Sequence, residues 1–171
     1  MQAEKLIEII KLPIDGYLLD AGGGTGRVGQ FLRDYVKDIV IADLSLEMLY
    51  QAKRKGGMHV IGSQTERLPF PAESFDRVIM IDAFHHVQNQ QHTVQDIWRV
   101  LRPGGRVVIE EPNIKKFSVK LIAIAEKLAL MRSHFMNPER ISDLFPQASS
   151  SIKLKHDGFN SWIIIDKIQR N

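Results

Sequence analysis

Residues 18–29 read LLDAGGGTGRVG: a short apolar run meets an acid, then glycines at 22, 23, 24 and 26, then a stretch with helical spacing. In an open α/β sheet, ligands bind at the carboxyl ends of the strands. Glycines after the first strand let a ligand approach bare backbone at a helix N-terminus. The stretch therefore predicts a strand, a ligand-cradling loop and a helix. Its letters contain both Gly22-x-Gly24-x-Gly26 and Gly24-x-Gly26-x-x-Gly29, the second being the dinucleotide fingerprint. Asp20 favours the first, because a carboxylate there would oppose a pyrophosphate but suit a ligand bearing an ammonium or sulfonium group. The first pattern also begins directly after the strand, whereas the second begins two residues late. A turn with no ligand would lose chain entropy at several glycines without any gain in packing.

Working outward, Tyr17 to Ala21, Ile39 to Ala42, His59 to Ile61, Arg77 to Ile81 and Arg106 to Ile109 are short runs rich in Val and Ile. They read as parallel strands covered on both faces. Between them, Val28, Phe31, Leu32 and Tyr35 keep helical spacing, as do Val94, Ile97, Trp98 and Leu101. Leu46, Met48, Leu49 and Ala52, ended by Gly56-Gly57, predict another helix, and Pro103-Gly104-Gly105 predicts a sharp stop before the next strand. Strand and helix alternate, which indicates an open parallel sheet with helices on both faces. A long helix is expected over 114–131. Two β-rich segments on either side of Asp157-Gly158 predict a hairpin that adds an antiparallel strand.

A chain of 171 residues fits one domain with one core, and no internal repeat or linker divides it. A single domain over 1–171 is expected. The composition, 44% hydrophobic and 25% charged, is that of a soluble globular protein. No apolar stretch reaches the roughly 18 to 20 residues of a membrane span. The N-terminus MQAEKLIEIIKLP carries Glu4 and Glu8 and lacks the pattern of a secretory signal, so a cytoplasmic location is expected. The absence of cysteine excludes disulfides, thiolate metal sites and a cysteine nucleophile. The net charge of +3 is mild, and the basic residues fall in small groups such as Lys53-Arg54-Lys55 and Lys115-Lys116, which does not demand a nucleic-acid partner.

The motif DAGGGTG resembles the first motif of class I S-adenosylmethionine-dependent methyltransferases, in the subgroup of quinone-biosynthesis and small-molecule enzymes. IADLSLEML resembles their second-strand motif with its terminal acid, and ERLPFPAESFDRVIM the segment leading into strand four. DAFHHV followed by WRVLRPGGRVVIEEP resembles the end of that strand through strand five. These matches fall in order over about residues 16 to 112, whereas the C-terminal third matches in pattern only. The resemblance implies a Rossmann-like α/β sheet, mostly parallel with a C-terminal antiparallel strand, and S-adenosylmethionine as cofactor.

Cofactor-binding candidates are Asp20, Gly22, Gly24, Gly26, Asp43, Leu44, Gln64, Thr65 and Asp82. Asp43, at the end of the second strand, can accept hydrogen bonds from both ribose hydroxyls, the role the resemblance also implies, or can cap the following helix. Leu44 can pack on the adenine face or on the core. Gln64 stands where the family often has an aspartate that reads the adenine amino group. A glutamine amide oxygen can accept the same bond, with the Thr65 backbone as a further candidate. Asp82 would line the pocket near the methionine part or cap the next helix.

His85 and His86, directly after strand four, are the candidate general bases, since methyl transfer needs a base only when the acceptor must lose a proton. Either can instead pack or bond to backbone. His85, His86 and His92 have no diagnostic metal spacing, and a magnesium site of Asp82, Glu110, Glu111 and Asn113 is disfavoured, so no metal is expected. DAFHHV lacks the Asn/Asp-Pro-Pro-aromatic signature of methylation on nucleobase amino groups. Phe84, Phe117, Leu121, Ile124, Leu128, Met131, Phe135 and Met136 would suit an apolar or aromatic small-molecule acceptor, although helical spacing makes several of them core residues. Lys116, Lys120 and Lys127 would form a solvated face or one attracted to anionic lipid. The rivals are a nicotinamide-dependent reductase and a non-catalytic partner subunit of the same fold.

Overall fold

The structure is a computed structural model that describes residues 3–112, 134–158 and 160–169. The helix expected over 114–131 lies outside the described residues, with Phe117, Leu121, Ile124, Leu128, Met131 and the lysines Lys115, Lys116, Lys120 and Lys127. So does Asn113.

The chain runs α1 (Ala3–Ile10), β1 (Tyr17–Ala21), α2 (Arg27–Leu32), β2 (Asp38–Asp43), α3 (Leu46–Arg54), β3 (His59–Gly62) and β4 (Phe75–Ile81). It continues through α4 (Gln90–Val100), β5 (Leu101–Pro112), a short helix α5 (Pro138–Asp143), β6 (Ser150–Asp157) and β7 (Asn160–Lys167). The strands form one sheet in the order β3-β2-β1-β4-β5-β7-β6. β1 pairs in parallel with both β2 and β4, while β7 runs antiparallel to β5 and to β6. Among the described strands, only β7 therefore opposes the common direction, as the hairpin at Asp157-Gly158 predicts. The order of strands reverses beside β1, which opens a crevice at the carboxyl ends of β1, β2 and β4.

Alternation along the strands divides the core between the two faces of the sheet. Leu19, Ala21, Val78, Met80, Val107 and Ile109 pack with Val94, Ile97 and Val100 of α4 and Ile141 of α5. Leu18, Ile39, Ile41, Ile79 and Val108 pack with Leu6, Ile9 and Ile10 of α1, Val28 and Leu32 of α2 and Leu49 of α3. At about 25 cal/mol per Å² of apolar surface, these two layers supply the main stabilisation. Helix α1 was not expected from the sequence, although Leu6, Ile9 and Ile10 have the spacing that buries one face. Its last turn is held by Arg106, which donates from Nη1 to Ile9 O at 2.6 Å and bidentately to Asp166 at 2.6 and 2.7 Å.

One boundary differs from expectation. Pro103-Gly104-Gly105 does not separate helix from strand; β5 begins at Leu101, directly after α4, and the tract forms an irregularity within it. Phe75 faces Leu101 while Arg77 faces Arg106, so extra residues of β5 are taken up between two adjacent pairing sites. Among the described residues, no helix is long and apolar enough to cross a membrane.

Candidate active site

The loop after β1 is tied to the end of β2: Gly22 N and Gly23 N both donate to Ala42 O, at 2.7 and 3.3 Å. Gly22 adopts φ +73°, and a Cβ there would stand 2.8 Å from the Cβ of Ala83. Only glycine fits this contact between the loop and the end of β4. The other glycines do different work. Gly26 is the N-cap of α2, where a Cβ would meet Ala52 at 3.0 Å, and a Cβ on Gly29 would meet Ile41 at 2.5 Å. Both let α2 pack closely.

At the end of β2, Asp43 accepts from Gly24 N through Oδ2 and from Ser45 N through Oδ1, each at 2.8 Å. The cap of α3 is Ser45, whose Oγ accepts from Met48 N at 3.3 Å. Asp43 is thus not the cap, and each of its oxygens keeps further acceptor capacity. Leu44 beside it is 65% exposed and Met48 45%. After β3, Thr65 is buried and shares a hydrogen bond with Thr93 Oγ1 at 3.2 Å, while Gln64 is exposed. Glu66 Oε1 accepts from Gln88 N and Asn89 N at 2.9 and 3.0 Å, which anchors the loop before α4.

At the end of β4, Asp82 takes φ +55° and donates its N–H to Glu110 O at 2.9 Å. The 3-10 turn Phe84–His86 that follows has no side-chain cap, and α4 is capped by Asn89. Asp82 therefore caps neither, and its left-handed backbone is a strained conformation of a kind often found where a side chain is aimed at a ligand.

These strand ends enclose a cavity of about 630 Å³, within the range of small-molecule sites. Gly22, Gly24, Asp43, Leu44, Gln64, Thr65, Asp82 and His86 are on its wall, among the residues singled out from the sequence. Asp20, Gly26 and His85 are not. Ser45, Met48, Ser63, Glu66, Val87 and Gln88 are, and sequence reasoning missed them. Met48 had been read only as helix spacing. Glu66 gave no local signal, because its partners are backbone amides of a distant loop.

Asp20 lies just beneath this wall. It is 1% exposed, its Oδ2 has no hydrogen-bond partner, and a Cβ on Gly23 would stand 2.7 Å from that atom. Burial, and then the nearby Asp43 charge, push its carboxyl up to about 7. A bound cation would relieve both effects. A buried carboxyl with one orphaned oxygen below the glycine loop, acceptor capacity at Asp43 and exposed apolar side chains at Leu44 and Met48 fit a cationic nucleoside with a sulfonium, the group implied by the motifs.

The two histidines separate. His86 is exposed on the cavity wall, whereas His85 is 3% exposed, with Nδ1 2.7 Å from Glu111 Oε2. Glu110 and Glu111 are adjacent strand residues and point to opposite faces: Glu110 meets Asn160 Nδ2, and Glu111 meets His85. Burial is the main influence raising the Glu110 carboxyl above its ordinary range. Among the described residues, no group of three or more His, Asp or Glu side chains is placed to hold a metal ion.

Residues 19–109 match the family described as "Methyltransferase domain". The ubiquinone/menaquinone biosynthesis C-methyltransferase of Coxiella burnetii is 36% identical over 104 residues, 55% of this chain and 42% of that protein. The malonyl-[acyl-carrier protein] O-methyltransferase of Enterobacter lignolyticus is 35% identical over 89 residues, 52% of this chain and 36% of that one. The chain thus spans less than half the length of these curated relatives. Among solved structures, the YcgJ protein of Bacillus subtilis superposes with a TM-score of 0.80 at 15% identity, over 99% of this chain and 98% of that one. An S-adenosylmethionine-dependent methyltransferase of Mesorhizobium loti gives 0.82 at 14% identity, over 96% of each. At such identities the superpositions establish the fold.

Proposed function

The chain belongs to the methyltransferase domain family, which implies S-adenosylmethionine as cofactor, and from that premise we propose that it methylates a small apolar or aromatic molecule. The observation that carries this reading is the convergence of Gly22, Gly24, Asp43, Leu44, Gln64, Thr65, Asp82 and His86 on one cavity. They come from the ends of four strands, and the sequence motifs had nominated them separately.

When bound, the cofactor supplies a methyl carbon already activated by the sulfonium, so orienting the acceptor in line provides much of the rate. Asp43 accepts from the ribose hydroxyls while its bonds to Gly24 N and Ser45 N hold it still. Leu44 and Met48 offer apolar surface to the base, and Gln64 and the Thr65 backbone offer polar groups to its edge. Gly22 and Gly24 let the chain approach the ligand without side chains between them, and Asp20 beneath them offsets its positive charge. Asp82 and His86 border the other end, where the acceptor is met. His86 is the residue placed to take a proton there if the acceptor loses one.

The apolar class of acceptor is supported by Ala83 and Val87 beside His86 on the cavity wall. The two curated relatives are named for a C-methylation and an O-methylation, so their names do not choose the attacked atom.

The test is a screen of aromatic and apolar acceptors with methyl-labelled donor and the purified chain alone. Labelled product supports the reading. If product forms only when a second protein is added, this chain alone is not the complete catalyst.

A further inference from the structure

We propose that Glu111 is a positioning residue that acts through His85 to hold His86 at the cavity wall. The inference rests on the reading above that the acceptor is met beside His86. Glu111 is 3% exposed at the end of β5, and its carboxylate serves two groups of one turn. Oε1 accepts from Phe84 N at 2.9 Å, and Oε2 is 2.7 Å from His85 Nδ1. A carboxylate can only accept, so Nδ1 carries the proton and donates it, which fixes one tautomer and one orientation of the ring.

The fixed ring is a platform. Phe135 stacks on it with centroids 4.4 Å apart and planes 13° apart, and the His86 ring leans against it at 3.9 Å and 47°. The backbone is clamped as well: His134 N donates to His85 O at 2.7 Å, and Gln90 Nε2 donates to His134 O at 2.7 Å and Phe84 O at 3.3 Å. Of the two histidines, the one that reaches the cavity is thus held by the one that does not. Packing alone does not account for the pair. A buried carboxylate beside a buried imidazole is costly to desolvate, and Phe84 N needs only one of the two carboxylate oxygens, so the second oxygen is committed to His85.

The arrangement makes a prediction that needs no acceptor. In long-range proton–nitrogen spectra of the labelled full chain, His85, assigned by the signal lost in His85→Asn, is expected as the Nδ1–H tautomer. In Glu111→Gln the amide oxygen keeps the Phe84 N–H and the amide nitrogen faces Nδ1, so the proton is expected to move to Nε2 and the His86 signals to shift. S-adenosylhomocysteine affinity should stay within about threefold, since Gly24 and Asp43 are untouched. An Nε2–H tautomer in the wild type, or His86 signals unmoved by Glu111→Gln, overturns the proposal.

Should Glu111→Gln not fold, His85→Asn places an amide N–H where Nδ1 donates and reads the same contact. Once an acceptor is known, Glu111→Gln should lower kcat at least tenfold with the cofactor KM within about threefold. His85→Asn should lose at least tenfold less turnover than His86→Gln, whereas an equal loss would make His85 itself the base and overturn the positioning role. A wild-type chain that transfers no methyl group refutes the proposed function, but the tautomer result still decides on Glu111.

Discussion

Asp43 Oδ2 accepts the Gly24 N–H at 2.8 Å, so the carboxylate that ends the second strand also latches the loop that follows the first. The cavity wall is therefore built by mutual support between two strand ends.

Asp43→Ala removes both the proposed ribose acceptor and the latch. Charge-assisted hydrogen bonds of this kind are worth about 1 to 3 kcal/mol, so S-adenosylhomocysteine should bind roughly 5-fold to 150-fold more weakly while the circular dichroism spectrum persists. Unchanged affinity in a folded variant would confine Asp43 to holding the loop.

Gly22→Ala should be more damaging than its size suggests. The new methyl would meet Ala83 Cβ at 2.8 Å on a backbone with φ +73°, so loop and strand must part. A loss of cofactor affinity of about tenfold or more is expected, with an energy on the order of 1.4 kcal/mol. Calorimetry that finds Gly22→Ala equal to wild type would show that the loop does not form the wall described.

Asp20 gives a pH signature. Its folded pKa, about 7, lies above the ordinary value of 3.8, so the folded state binds this proton more tightly than the unfolded state. The group's contribution is fully present below about pH 4 and is lost progressively as pH rises through 7. Asp20→Asn removes that titration. The melting temperature of the wild type should fall relative to Asp20→Asn between about pH 5 and 8, in the absence of cofactor; parallel curves would contradict the burial of this carboxyl and its unpartnered Oδ2.

Asp166 has the opposite sign. Its hydrogen bond to Arg106 holds the carboxyl below its ordinary range, so its stabilisation is present at neutral pH and lost as pH falls through the depressed pKa. Among the described residues, Asp166→Ala leaves the buried Arg106 guanidinium with Ile9 O as its hydrogen-bond partner. Because Asp166 is 38% exposed on its side chain, about 2 kcal/mol is expected rather than the 3 to 5 of a fully buried pair. Urea melts should show this loss, and cofactor affinity should be retained, since the pair lies away from the cavity.

The alternation of Val- and Ile-rich runs with amphipathic stretches was enough to read the sheet from β1 to β5, because strands covered on both faces leave a clear apolar signal. The hairpin was legible from one Asp-Gly turn. Helix α1 was less legible because it is only eight residues long, so the burial spacing of Leu6, Ile9 and Ile10 spans little more than one turn. Within the site, the places of Asp43, Gly22 and Gly24 on the cavity wall were legible because each lies at or just after a strand end, whereas Gly26 packs α2 instead. The separation of His85 from His86 was not: adjacent residues look alike in sequence, and only the contact of Glu111 with one of them distinguishes buried from exposed. Glu66 was hidden for the same reason, since its partners lie on another loop.

The central claim is that the crevice between the β1, β2 and β4 ends is built for a sulfonium nucleoside and not for a dinucleotide. Isothermal titration of the purified chain with S-adenosylmethionine, S-adenosylhomocysteine and a nicotinamide dinucleotide tests it most directly. Binding of the first two at micromolar order, weakened by Asp43→Ala, is expected, with no measurable heat from the third. Binding of the dinucleotide with no response to either sulfur nucleoside would contradict it.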